Sequence, residues 1–410
     1  MAMAMHAKEL QIFCVRDEAR MIISYVSTAM DQEDFAQLFT DKKTMPGQQG
    51  PKFNRLLMEG LVANGMEVHA CTGRPVTRGN CARKFLPSMK HVKNDKFVYL
   101  YGSILNLPIV KNIWQMIVSY FTICREVRKG SAAVICDVLN ASIALGASIA
   151  AKHKKIPCIG IVTDLPELMV TGVNQKHVKA VEEIIDKCTG YVFLTEAMNE
   201  KLNPTHKPYV IIEGLCDANM LRFEKKKTES KAVRKYMYAG LLDVRYGVKM
   251  MVDGFLRADL PQVELHIYGD GPYAEELTRV TQEHSNVVYH GTVMNDIAIQ
   301  AELEADLLIN PRPTHEEFTK YSFPSKNMEY MATGTPVLTT DLLGMPEEYK
   351  QYVYLLKDET EEGIALALKK IVRLSKSELY SRGITAKKFV LKEKNNIAQA
   401  SKLINVIRAQ

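Results

Sequence analysis

The sequence predicts an α/β protein made of two doubly wound parallel-sheet domains, Rossmann-like in build, that face each other across a cleft. Three observations predict it. The chain has 410 residues, enough for two domains that each bury a core. Short continuous apolar runs alternate with helical patterns, the signature of parallel strands covered on both faces. The alternation lapses once, over residues 215–235, where Lys225, Lys226 and Lys227 mark a solvated connector, and then restarts.

The elements follow in order. Residues 1–20 have no clean period and read as a leader or extension, with a short extra helix as the alternative. Residues 21–214 form the first domain. Its strands are expected at 22–27, 67–72, 97–101, 133–138, 157–163, 191–194 and 209–212. Its helices are expected at 51–64, where Phe53, Leu56, Leu57 and Leu61 recur at helical spacing, and at 109–129, 141–155 and 177–187. A long loop holding Gly47 and Gly50 separates the first strand from the first helix. Residues 236–392 form the second domain, with strands at 236–241, 264–268, 287–290, 305–310, 335–340 and 352–355. Its helices are expected at 247–257, 272–284, 296–304, 362–374 and 376–390. A last helix, in the segment 393–410, is expected to pack back on the first domain. Ligands of such sheets sit beyond the carboxyl ends of the strands, so the cleft is where a site is expected.

Composition bounds the function. The net charge of +6 is mild and suits anionic substrates or an anionic membrane surface; no nucleic-acid partner is expected. The eight Cys are scattered, with no CxxC and no Cys/His metal spacing, as for free thiols in a reducing cytoplasm. The nearest approach to a membrane span, residues 104–124, is interrupted by Pro108, Lys111, Asn112 and Gln115. No signal peptide is evident, and a cytoplasmic location is expected.

The most informative stretch is residues 305–347. An apolar strand is followed by a long polar loop, and Phe323, Pro324, Ser325 and Lys326 then open a helix that stops at Gly334. A helix start at a sheet edge offers free N–H groups and partial positive charge to a phosphate. Lys326 opposes the helix dipole in that first turn. A bound anion would offset it, and Arg312 across the loop has the fork to grip the same anion. The alternative is a solvated surface lysine.

Here the chain resembles a known family. YSFPSKNMEYMATGTPVLTT, followed by GMPEEY, looks like the donor site of family 4 glycosyltransferases of the GT-B fold, nearest to bacterial enzymes of exopolysaccharide and capsule synthesis. The resemblance implies a retaining, metal-independent transferase with no cofactor. It would move a sugar from a nucleotide diphosphate sugar, expected to be UDP-linked, to a saccharide acceptor, expected to be lipid-linked, at the inner membrane face. It places Glu329 on the ribose hydroxyls and sets Ser325 and Tyr321 beside the donor. Tyr321 stands where the family has a first Glu, with seven residues between it and the second; Glu316 and Glu317 lie nearby but out of place. Gly240 opens the first strand-to-helix turn of the second domain, where Leu241 and Tyr246 occupy the family's usual basic positions. Arg312 and Lys326 are expected to replace that pair, with Arg245 or Lys249 as lesser candidates.

HIYGDGPYA, residues 266–274, fits a dinucleotide-binding turn, but no acidic residue ends the next strand. The resemblance instead sets Gly269 and Gly271 near the nucleotide, and Thr292 and Val293 where backbone meets the base. In the first domain Gly47 and Gly50 read as a surface loop or, by the resemblance, as a contact with the diphosphate or acceptor. Asp164 ends an apolar strand. It is expected either to cap the next helix or to orient or deprotonate the acceptor hydroxyl, or to stabilise positive charge on the sugar; Glu213 is a weaker candidate. No Asp-x-Asp metal motif is present. Trp114 and Phe121, bordered by Lys111, Arg125, Arg128 and Lys129 and by Lys152, Lys154 and Lys155, suggest a peripheral membrane face, or else core with a solvated rim. Two other functions stay open: a nucleotide-sugar epimerase of the same fold, and a catalytically weak sugar-nucleotide-binding protein.

Overall fold

The computed structural model describes residues 21–41, 44–168, 175–226 and 233–410, so the leader expected at 1–20 lies outside the described residues. In the first domain the chain runs β1 (Ile22–Ser27), α1 (Gln32–Leu38), α2 (Gln49–Ala63), β2 (Glu67–Thr72), β3 (Phe85–Leu86), β4 (Met89–Asn94), β5 (Phe97–Tyr101) and β6 (Ile104–Leu105). It continues through α3 (Val110–Arg128), β7 (Ser131–Asp137), α4 (Ala141–Lys154), β8 (Cys158–Val162), α5 (Gln175–Lys187), β9 (Gly190–Phe193), α6 (Glu196–Leu202) and β10 (Tyr209–Ile211). Among the described residues its main sheet has the order β10-β9-β8-β7-β1-β2-β5-β4.

Its pairings are parallel except at one edge, where β4 runs antiparallel to β5. The sequence hides β4 because MKHVKN is polar and mostly exposed, as suits a sheet edge. The short helix α1 is hidden too. It buries no residue and so leaves no apolar stripe to read.

The second domain comprises β11 (Arg234–Ala239), α7 (Val248–Ala258), β12 (Val263–Tyr268), α8 (Ala274–Glu283), β13 (Val287–Tyr289), α9 (Asn295–Glu304) and β14 (Leu307–Asn310). There follow α10 (Ser325–Thr333), β15 (Val337–Thr340), α11 (Glu347–Lys350), β16 (Tyr354–Leu356), α12 (Glu361–Ile371) and α13 (Lys376–Glu393). The described strands form a parallel sheet in the order β13-β12-β11-β14-β15-β16. Strand β11 begins inside the expected connector. Lys225 is not freely solvated there: its Nζ donates to the carbonyls of Leu303 (2.8 Å) and Ala305 (2.7 Å), tying the connector to the second domain. Lys227 lies outside the described residues.

The final helix, α14 (Asn396–Arg408), crosses to the first domain and packs on α2. Leu403, Ile404 and Ile407 join the core around Leu57 and Leu61. Gly60 allows the close approach, since a Cβ there would lie 2.1 Å from the Asn396 carbonyl oxygen. The crossing is pinned by a buried network. Lys394 pairs with Glu213 at 2.5 Å, and the Tyr349 hydroxyl donates to Glu213 at 2.8 Å. Glu213 is therefore a structural partner at the crossing between domains. Among the described residues no helix is long and apolar enough to cross a membrane.

Candidate active site

Each sheet reverses its winding once, between β7 and β1 in the first domain and between β11 and β14 in the second. Crevices open at the carboxyl ends of such switch points. At the carboxyl ends of these strands stand Asp137 (ending β7), Gly240 (after β11) and Arg312 (after β14), and Asp164 follows β8, the neighbour of β7. Helix α2 follows β1 after the short α1.

Helix α10 is fixed to the second sheet by side-chain amides. Asn310, ending β14, donates to Asn327 Oδ1 (2.7 Å), and Asn327 donates to Thr339 Oγ1 on β15 (3.2 Å). Pro324 occupies the N-cap and offers no capping side chain, and Gly334 ends the helix with φ +82°. Ser325, its first residue, is exposed. One turn on, Glu329 meets two cations. Lys326 Nζ lies 3.1 Å from it, and Lys52, from the first turn of α2 in the other domain, makes a short contact with the second oxygen. Burial works against its charge, yet Lys326 and Lys52 draw the Glu329 carboxyl down to about 2. Burial likewise opposes the charge on Lys326, but Glu329 and Glu302 hold its pKa above the usual lysine range.

This corrects one expectation. The cation at the start of α10 needs no bound anion to offset it, because Glu329 already does so at i,i+3. Lys52 was not singled out from the sequence. The available signal was a second lysine in the first turn of a helix, the same anomaly that marks Lys326.

Glu302 on α9 is buried beside this group, and burial pushes its carboxyl up to about 7 against the pull of Lys326. A carboxyl whose pKa rises on folding favours the fold below its ordinary value of 4.5, and that contribution is lost as pH climbs through about 7. Unfolding free energy should fall across that window in the wild type, and Glu302→Gln should flatten the fall. Superimposable pH profiles from denaturant melts of the two proteins would contradict this.

Arg312 sits in an aromatic clamp, 5.2 Å from the Tyr246 ring and 4.6 Å from the Phe318 ring. Burial lowers its pKa, and its Nε is buried without a hydrogen-bond partner. Among the described residues no carboxylate pairs with Arg312 at salt-bridge distance, so its fork is available to a ligand. Asp164 stands across from it in the first domain, exposed to the cleft. Surrounding protein raises its pKa, opposed by Thr163 and Arg312. Asp164 precedes a three-residue 3-10 turn, Pro166–Leu168, and the described part of α5 starts at Gln175. Asp137 is its neighbour and escaped the sequence reading. Burial pushes its carboxyl up to about 6, and it accepts from Asn54 of α2 at 2.9 Å. Asp137 thus orients the helix that delivers Lys52.

The remaining candidates separate into two groups. Gly47 and Gly50 have no protein atom within 4 Å of where a Cβ would stand; Gly50 lies in the first turn of α2 rather than in the loop before it. Thr292 is exposed and Val293 half-buried beyond Gly291, which has φ +67°. Gly240, Gly269 and Gly271 instead hold two turns together. A Cβ at Gly269 would stand 1.8 Å from the Gly240 carbonyl oxygen, and one at Gly271 would stand 2.4 Å from that of Leu242. Arg245 is engaged by Asp243 (2.6 Å), and Lys249 by Glu276 (2.6 Å) and Asp253 (3.3 Å). Tyr321 faces Lys201 of the first domain, whose Nζ lies 5.2 Å from the ring centre, so it forms a bridge across the cleft.

Residues 234–373 match the family described as glycosyl transferases group 1. No curated protein matches the chain. Among solved structures the chain is similar to a sucrose-phosphate synthase from Thermosynechococcus elongatus, with TM-score 0.67 and 15% identity over 95% of this chain and 99% of that one. It is similar to HepE of Anabaena in complex with UDP, with TM-score 0.61 and 12% identity over 95% and 100%. It is also similar to the lipopolysaccharide outer core galactosyltransferase WaaB, with TM-score 0.58 and 14% identity over 95% and 99%. The fold is GT-B, two Rossmann-like domains facing a cleft.

Proposed function

We propose that the protein is a glycosyltransferase that moves a sugar from a UDP-linked donor to a hydroxyl of a saccharide acceptor, with retention of anomeric configuration and without a metal. One observation carries the reading. Inside the segment that matches the glycosyltransferase family, Glu329 stands one turn into α10, held by Lys326 and reached by Lys52 from the opposite domain. In this reading Glu329 accepts hydrogen bonds from the ribose hydroxyls, and Thr292 and Val293 meet the base. The diphosphate lies at the α10 N-terminus between Arg312 and Lys326, whose charge offsets what develops on the leaving group as the glycosidic bond breaks. Three inter-strand steps, roughly 14 Å, separate β13 from β14, room for a nucleoside diphosphate along the sheet edge. Asp164 orients or deprotonates the acceptor hydroxyl, or stabilises positive charge on the sugar. The UDP and glucose complex of HepE supports the choice of donor.

A melting-temperature screen with a panel of nucleotide sugars tests the reading, because a ligand that binds only the folded state raises the midpoint. UDP-linked donors should raise it. A panel without effect counts against the reading. Arg312→Ala and Lys326→Ala should each weaken UDP far more than uridine in calorimetry. Equal losses for the two ligands would mean that neither residue touches phosphate.

The acceptor in this proposal is lipid-linked, for surface polysaccharide synthesis at the inner membrane face. Ile109, Ile113, Ile117 and Phe121 recur every four residues and are exposed, Ile109 at 81% and Phe121 at 65%. Arg125, Arg128 and Lys129 are exposed at the end of the same helix, and Lys152, Lys154 and Lys155 at the end of α4. Trp114 belongs elsewhere: it is half-buried, with Nε1 donating to Ser103 Oγ at 3.2 Å. Lys111 also turns inward, to the Val76 carbonyl. An apolar stripe bordered by cations suits an anionic bilayer surface, with each cation contributing about 1 kcal/mol. The protein should pellet with anionic vesicles at low salt and less at high salt. Reversal of Arg125, Arg128 and Lys129 to Glu should weaken pelleting, and equal pelleting would rule out this face.

A further inference from the structure

The first domain brings three thiols together in its buried core. Cys136, Cys158 and Cys188 place their sulfur atoms within 4.8 Å of one another, and none is more than 1% exposed. Cys136 is on β7 and Cys158 on the adjacent β8, and their Sγ atoms are 3.9 Å apart. Cys188 follows α5, just before β9. In the β7–β8 register Cys136 stands opposite Gly160. A Cβ at Gly160 would come within 2.9 Å of the Cys188 sulfur, so the missing side chain makes room for the third thiol. Two sulfurs 3.9 Å apart can each lie about 2.3 Å from one ion, the length of a metal–thiolate bond, and the third sulfur is within 4.8 Å of both.

The donor set selects the ion. Among the described residues no fourth ligand joins the three sulfurs, and their burial keeps water out. Structural zinc sites are completed by four ligands. Thiolates without nitrogen or oxygen donors favour soft ions, copper(I) foremost. Three thiolates around a monovalent ion leave net negative charge. Lys207 supplies a cation nearby, with its Nζ donating to the Cys188 carbonyl at 2.9 Å.

We infer that Cys136, Cys158 and Cys188 form a trigonal thiolate site for a soft monovalent metal ion of the copper(I) class. Binding forms three metal–sulfur bonds and releases the three S–H protons to solvent, with no change of oxidation state. The site is independent of the donor site and serves the first domain as a structural cross-link between β7, β8 and the start of β9.

The test uses the full chain, reduced, unfolded and refolded with copper(I) against a competing chelator. One equivalent should be retained, with thiolate-to-copper charge-transfer absorption and a raised melting temperature. Cys81→Ser, outside the cluster, should behave identically. Cys136→Ser, which removes one of the three ligands, should lose the charge-transfer band and fail to retain copper(I) against the chelator. Cys188→Ala, beyond the sheet hydrogen bonding, gives a second variant should the first not fold. Retention of the band in these variants would overturn the inference. So would wild type that refolds without taking up copper(I), or a mass two hydrogens low that reveals an oxidised pair.

Discussion

Asp164→Asn is expected to lower turnover by about 10²–10⁴-fold, the range for loss of a positioned acid or base, while UDP binds as tightly as before. The side chain reaches the cleft from the carboxyl end of β8, and Arg312 faces it from the other domain. It is exposed, so the exchange of one oxygen for an amide should leave the melting temperature nearly unchanged. Turnover is read as UDP release. A variant that releases UDP at the wild-type rate removes Asp164 from the reaction. One that melts early and loses UDP affinity assigns it to the fold.

Glu329→Ala should weaken UDP by about 2–3 kcal/mol, the scale of a charged hydrogen bond left unmade. The loss should be as large for uridine, because the contact is to the ribose. That equality distinguishes Glu329 from Arg312 and Lys326, whose loss is specific to phosphate. The carboxylate is already ionised and gripped by Lys52 and Lys326. Ribose must therefore share it with, or take it from, Lys52, and domain contact and donor binding meet at the same two oxygens. Unchanged affinity in calorimetry would remove Glu329 from the nucleotide site.

The parts of this arrangement that depend on local chemistry were readable from the sequence. Pro324 and Gly334 bracket α10, and apolar runs mark the strands whose carboxyl ends face the cleft. What depends on contacts distant in sequence was not. Lys52 and Glu329 are 277 positions apart, and no periodicity links them. Asp137 and Asp164 look alike as acids that end buried strands. Only packing shows that one is buried against α2 and the other exposed. The thiol cluster has no ligand spacing because its members come from three successive segments, joined by sheet register rather than by a loop. Polar segments such as β4 and α1 carry no buried face to read. The Lys326–Glu329 pair is visible in the sequence as a helical i,i+3 spacing, and in the structure the two side chains face one another at the α10 N-terminus.

The most direct test of the account is UDP release from a UDP-sugar, compared between wild type and Asp164→Asn, with binding of the intact donor measured in the same samples. The account predicts that both proteins bind donor and that only the wild type releases UDP at an appreciable rate. Donor that binds but is never cleaved by the wild type, or is converted to an epimer with no UDP freed, would contradict it.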